Sequence, residues 1–155
     1  MNNILNEIEE MRSNAVKIFQ KGLQAVEPGS AIKRFCKRKG ENLFIGNRKY
    51  NLSRIKNIFV TGAGKATAPM AAAIEDILGE NITRGIINVK YGHTANLNSI
   101  RLIEAGHPVP DKNGMKGADE ILNLAAGAKK LDLVLCLISG GGSALLVLPA
   151  EGITL

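Results

Sequence analysis

The sequence predicts an α/β protein: an open, mainly parallel sheet with helices on both faces. Two observations predict it. From Asn57 onward, short β-branched strands alternate with helical stretches, and two glycine-rich loops each follow an apolar strand and are expected to precede a helix. The 155-residue length suits one domain, and 45% hydrophobic against 22% charged residues excludes wholesale disorder.

Taken in order, Ile4, Ile8, Met11, Ala15, Ile18, Phe19, Leu23 and Val26 recur in steps of three and four, so the first segment reads as an amphipathic helix. Glu27-Pro28-Gly29-Ser30 is expected to stop it. A basic stretch, Lys33 to Lys39, follows as a loop. Leu43-Phe44-Ile45 and Arg48-Lys49-Tyr50 then flank Gly46-Asn47, a turn dipeptide, which predicts a small hairpin. Ile58-Phe59-Val60 is the first strand of the main sheet, and an Ala-rich helix from Lys65 to Leu78 closes at Gly79. Further strands are predicted at Gly85–Lys90 and Ile100–Glu104, and a helix at about 113–126. The apolar run Leu133–Ile138 reads as a strand buried on both faces. After it come Ser139-Gly140-Gly141-Gly142-Ser143 and Ala144-Leu145-Leu146, with the sequence ending twelve residues past Ser143. The expectation is a truncated polypeptide or half of a two-domain protein, with Leu145 to Leu148 left uncovered. Residues 1–56 are expected to pack, as helix, basic loop and hairpin, on the α/β core of residues 57–155.

The net charge of +6 invites a nucleic-acid reading until it is divided along the chain. Residues 1–56 hold 12 basic and 5 acidic side chains, residues 57–155 hold 8 and 9. With no Trp and 4% aromatic residues, stacking platforms are scarce, so a solvated basic loop is favoured over a nucleic-acid surface. The longest apolar run, six residues, is far short of a membrane span, and the acidic start does not resemble a secretory signal. These features predict a cytoplasmic protein with neither nucleic acid nor membrane as partner. Cys36 and Cys136 suggest neither a disulfide framework nor a metal site.

Chemistry concentrates in three segments. Gly62-Ala63-Gly64-Lys65-Ala66-Thr67 offers backbone amides and a cation to an anion, although tight strand-to-helix packing alone would also ask for small residues here. It departs from the dinucleotide fingerprint, with Thr67 at the third glycine and no acidic residue near Val89-Lys90. It departs from Walker A at Phe59 and Ala66. Ser139 to Ser143 carries the stronger signal: three consecutive glycines weaken a fold unless backbone approach or positive φ requires them, and the flanking hydroxyls add donors. Between the loops lies Ala105-Gly106-His107-Pro108-Val109-Pro110-Asp111, where two prolines hold His107 and Asp111 on a rigid connection. His107 reads equally as an acid, base or phosphate donor and as a residue that shapes the loop. Asp111 is a candidate helix cap, and His93 a surface loop residue. No Cys/His cluster has metal-ligand spacing, so any magnesium is expected to arrive with a nucleotide.

Val60-Thr-Gly-Ala-Gly-Lys-Ala66 with Met70-Ala71, Glu104-Ala-Gly-His-Pro-Val-Pro-Asp111 and Leu133 to Leu146, in this order, resemble the N-terminal domain of the glycerate 2-kinase family. Members often carry a C-terminal MOFRL domain, and some are labelled hydroxypyruvate reductases. The resemblance implies a Rossmann-like sheet, ATP with Mg2+ arriving on the nucleotide, and phosphorylation of D-glycerate to 2-phosphoglycerate in a cleft between two domains. Lys65 matches the family's lysine in that cleft, the catalytic cation. Gly62, Gly64, Ser139, Gly140, Gly141, Gly142 and Ser143 fall on nucleotide-binding positions, with His107 and Asp111 serving substrate or loop shape and no metal ligands. Family members are much longer, so a chain of this length, without the MOFRL-type domain, is expected to be inactive alone, its partner a second copy or a separate C-terminal half. The alternatives are an oxidoreductase of the hydroxypyruvate reductase type and a non-catalytic anion-binding module.

Overall fold

The computed structural model describes residues 2–155. The first periodic segment forms a helix, α1 (Asn2–Ala25), but every residue from Ile4 to Val26 is exposed, so its apolar stripe has no partner among the described residues. Glu27-Pro28-Gly29-Ser30 ends this helix and at once begins another. The Glu27 carboxylate accepts the amides of Gly29, at 2.8 Å, and Ser30, and Pro28, whose missing N–H is no loss in a first turn, opens α2 (Pro28–Phe35). The expected basic loop is therefore regular structure. Lys33 and Arg34 complement the carbonyl end of α2, and β1 (Cys36–Lys39) follows directly. Arg38 reaches from β1 to the Leu78 carbonyl, 3.3 Å away. β1 pairs antiparallel with β2 (Asn42–Ile45), and β2 with β3 (Arg48–Asn51), the predicted hairpin, whose turn has Gly46 at φ +56°.

The main sheet comprises β4 (Ile58–Ala63), β5 (Arg84–Lys90), β6 (Ile100–Ala105) and β7 (Leu133–Ile138), all parallel, in the order β6-β5-β4-β7. Alternation along the strands divides its faces. Ile58, Val60, Ile87, Val89 and Leu137 meet α3 (Thr67–Leu78) through Ala68, Ala71, Ile74 and Leu78, and this core continues into Cys36, Leu43 and Leu52 of the N-terminal elements. The opposite face is covered by α4 (Lys112–Ala126), which packs over β5, β6 and β4. Helices on both faces are thus present. The β5–β6 connection, residues 91–99, has no helix, and Ala95 and Leu97 pack against the core in its place.

Two expectations are corrected at the end of the chain. β7 is an edge strand rather than one buried on both faces: Leu137 is buried under α3, but α4 stops short of the other face, leaving Cys136 exposed and Ile138 53% exposed. Conversely, Leu145 is not left uncovered. It is fully buried with Ala63 and Ala105, while Leu146 and Leu148 remain exposed. No helix among the described residues is long and apolar enough to cross a membrane.

A single carboxylate joins α3 to the start of β6. Glu75 accepts the backbone amides of Asn98 (2.9 Å), Ser99 (2.8 Å) and Ile100 (3.0 Å), standing in for the helix that this connection lacks. Glu75→Gln removes the charge and one acceptor. We expect it to lower stability by about 1–3 kcal/mol, read as a shift in urea midpoint at unchanged slope.

Candidate functional site

In an open parallel sheet, ligands bind beyond the carboxyl ends of the strands, where neighbouring connections diverge to opposite faces. Here that place lies between β4 and β7. The β4–α3 loop turns toward one face, and the β6–α4 connection brings the chain back to β7 from the other. The two glycine loops therefore lie side by side.

Their contact explains the first loop's glycines. A Cβ on Gly62 would run into the Leu137 carbonyl, and one on Gly64, at φ +137°, into the Ser139 hydroxyl. The Ser139 hydroxyl accepts the Ala66 amide at 3.1 Å and lies 3.4 Å from the Thr67 hydroxyl, so it ties the loops together. Thr67, where a dinucleotide site would have glycine, is fully buried, its hydroxyl 3.5 Å from the Leu137 carbonyl.

The glycines of the second loop face a different environment. Among the described residues, the amides of Gly140, Gly141 and Gly142 donate to no protein acceptor, whereas the Ser139 and Leu145 amides are used, by Ala63 and Gly142. Gly141 adopts φ +76°, and a Cβ there would sit 2.9 Å from His107 Nε2 and 3.7 Å from Lys65 Nζ. All three motifs found in the sequence thus meet at one glycine. Lys65 is exposed and precedes the first turn of α3, which starts two residues later than predicted. His107 is half-buried, and Ser143 is exposed at the start of a short 3-10 turn.

Asp111 resolves as a cap. Its Oδ1 accepts the Gly114 amide at 2.9 Å and its Oδ2 the Tyr91 hydroxyl at 2.7 Å, so both oxygens hold the β6–α4 connection in shape. Burial acts to raise its pKa, but the Gly114 amide, the Tyr91 hydroxyl and the amides of Gly106 and Asn113 outweigh it and hold the carboxyl below its usual value. The same bond pushes the Tyr91 phenol up.

Two residues outside the predicted set also act here. Asn88, fully buried, donates to the Gly114 carbonyl at 3.0 Å and the Leu145 carbonyl at 2.7 Å, pinning the segment after the second loop to α4. Its Oδ1 has no partner and lies against Gly117, where no Cβ would fit. Its signal in the sequence is the one polar break in the apolar stretch 86–89. His93, exposed as expected, places Nδ1 3.1 Å from the Lys65 carbonyl. Among the described residues no three His, Cys, Asp or Glu side chains group to hold a metal ion. A groove lined by Phe59, Arg84, Ile86, Glu120 and Leu124 lies at the other end of the strands.

Asp111 makes stability depend on pH in a definite direction. A carboxyl with a folded pKa below its unfolded value, about 3.9, contributes fully above about pH 5 and loses that contribution as pH falls through its folded pKa. The melting-temperature gap between wild type and Asp111→Asn should therefore be widest near neutral pH and close below about pH 4, as measured by thermal melts across pH.

The family described as "Domain of unknown function (DUF4147)" matches residues 14–155. The chain is 36% identical over 146 residues to a protein of Pyrococcus horikoshii named glycerate 2-kinase, and 38% identical over 148 residues to one of Thermotoga maritima named D-glycerate 2-kinase. These matches cover 94% and 95% of the chain but 32% of each relative, so the chain spans about a third of their length. A relative from Agrobacterium vitis, named as a hydroxypyruvate reductase, is 47% identical over 96 residues, 62% of the chain and 25% of that protein. Among solved structures, a Pyrococcus horikoshii protein superposes with a TM-score of 0.82 at 36% identity, over 93% of this chain and 32% of that one.

Proposed function

Because this chain belongs to the DUF4147 family, we propose that it is the phosphate-holding part of an ATP-dependent glycerate 2-kinase, working in the cytoplasm. One observation carries the reading: among the described residues the amides of Gly140, Gly141 and Gly142 have no protein acceptor, and the middle one, Gly141, lies beside the Lys65 ammonium and the His107 ring. Backbone amides without protein acceptors, with a cation next to them, suit a phosphate.

In the proposed reaction the 2-hydroxyl oxygen of D-glycerate bonds to the terminal phosphorus of ATP, the bond from that phosphorus to the ADP oxygen breaks, and the hydroxyl proton departs. Phosphoryl transfer depends on positioning and charge stabilisation, which is what these residues offer. The amides of Gly140, Gly141 and Gly142 bind phosphate oxygens. Lys65 stabilises the charge that builds up on the transferring group. His107, with Nε2 toward Gly141, donates to a phosphate oxygen or takes the hydroxyl proton. Gly62, Gly64, Ser139 and Ser143 give the loops their shape and close approach, and Asp111 holds the connection that presents His107. Mg2+ bound to the nucleotide would neutralise phosphate charge, and this chain's residues would hold it only through their grip on the phosphates. The remaining walls of the cleft come from polypeptide outside these residues, whether a continuation, a separate half or a second copy.

The name of the Agrobacterium vitis relative favours the oxidoreductase alternative, but a dinucleotide site asks for close backbone approach where Thr67 is buried and bonded, and for an acidic residue where β5 ends in Val89-Lys90. A non-catalytic anion-binding module would share the grip and lack turnover.

Lys65→Ala tests the reading. In a coupled assay of ADP release by a protein that includes the missing walls, kcat should fall by about two orders of magnitude, with a smaller change in nucleotide KM. Lys65→Arg should restore little, since a planar fork does not replace a compact ammonium in a tight loop. Unchanged kcat in a folded Lys65→Ala protein would remove Lys65 from the reaction.

A further inference from the structure

The Lys65 carbonyl lies one residue ahead of Ala66, the N-cap of α3, so no amide of that helix pairs with it. Four residues on, where a continuing helix would supply an N–H, stands Pro69, which has none. His93 fills the gap, with Nδ1 3.1 Å from that oxygen. The other end of the same peptide unit, the Ala66 amide, donates to Ser139 at 3.1 Å. The plane that follows Lys65 is thus gripped on both sides, and the preceding residue is held by the Gly64 amide on the Asn88 carbonyl at 3.1 Å. His93 in turn stands on a fixed turn. Its amide donates to the Lys90 carbonyl at 2.9 Å, Gly92 donates to Glu104 at 2.6 Å, and the Tyr91 amide to the Ala105 carbonyl at 3.3 Å.

We infer that His93 is a positioning residue for Lys65: its Nδ1–H holds the Lys65–Ala66 peptide plane, fixing the direction in which the lysine leaves the backbone toward the phosphate loop. A carbonyl oxygen only accepts, so the contact requires the proton on Nδ1. The inference rests on the reading of Lys65 as the phosphate cation, and it extends the site to the β5–β6 connection, which the sequence motifs leave out.

The test uses the 155-residue chain and inorganic tripolyphosphate as probe. Long-range proton–nitrogen correlation spectra above the His titration range should show His93 as the Nδ1–H tautomer, and an Nε2–H tautomer overturns the inference. In tripolyphosphate titrations, His93→Ala and His93→Gln should each weaken binding by about fivefold, the scale of one hydrogen bond, with melting temperatures near wild type. His93→Asn, whose amide nitrogen overlays Nδ1, should bind within about twofold of wild type. Equal binding by His93→Ala overturns the inference. In the Lys65→Ala background, His93→Ala should cost nothing further, because it acts through the lysine, and an additive loss also overturns it. If wild-type chain ignores tripolyphosphate, the phosphate reading of Lys65 falls, and the positioning role falls with it. A failure of His93 alone shows instead as wild-type binding that Lys65→Ala weakens and His93→Ala does not.

Discussion

Between the ends of β4 and β7 there is no room for a side chain, and most of what this protein does follows from that. Parallel neighbours whose connections leave toward opposite faces must part at their carboxyl ends, yet here the backbones stay in contact for as long as Gly62 and Gly64 can lie against Leu137 and Ser139. A methyl group at either position would push the loops apart. Close approach lets one serine hydroxyl grip the amide of the opposite loop, and it brings Lys65 over Gly141.

The division of labour between the loops follows. In the first, the glycines are consumed by packing, and the group the proposed site draws on is a side chain, Lys65. In the second, the backbone itself would be the binding group of the proposed site, with the amides of Gly140, Gly141 and Gly142 free of protein acceptors among the described residues and Gly141 at φ +76°. Asn88 supports this from below: by holding Leu145, it anchors the segment after the loop, so the free amides belong to a loop tied at both ends. The three motifs lie far apart in sequence, and the sheet order is what makes them neighbours.

Much of this was legible in the sequence because the main elements carry local signals. Strand periods, the Gly79 stop and the Gly46-Asn47 turn each predict structure within a few residues. Where reading failed, the deciding partner was distant. Nothing near Glu27 tells a helix stop from a helix cap until the next segment is seen to pack on α3. The apolar run of β7 reads as doubly buried because its composition does not reveal whether a helix reaches both sides. At the site, Lys65, His107 and the triple glycine stood out by type and spacing, whereas His93 and Asn88 did not, since each acts on backbone carbonyls of segments remote in sequence. Pro69 was in plain view, but that the Lys65 carbonyl lies ahead of the helix becomes visible only once the helix start is known.

The exposed α1 has a consequence for how the molecule comes apart. A helix of 24 residues whose side chains are exposed from Ile4 to Ala25, tied to α2 by the Arg34 guanidinium on the Ala25 carbonyl at 2.9 Å, is held mainly by its own hydrogen bonds. It therefore forms a cooperative unit of its own, one that frays from its ends over a broad temperature range while the sheet and its two layers unfold in a single sharp step. In this chain, helical signal and tertiary signal report on different events, and fraying of α1 leaves the two glycine loops, which are built on β4 and β7, in place.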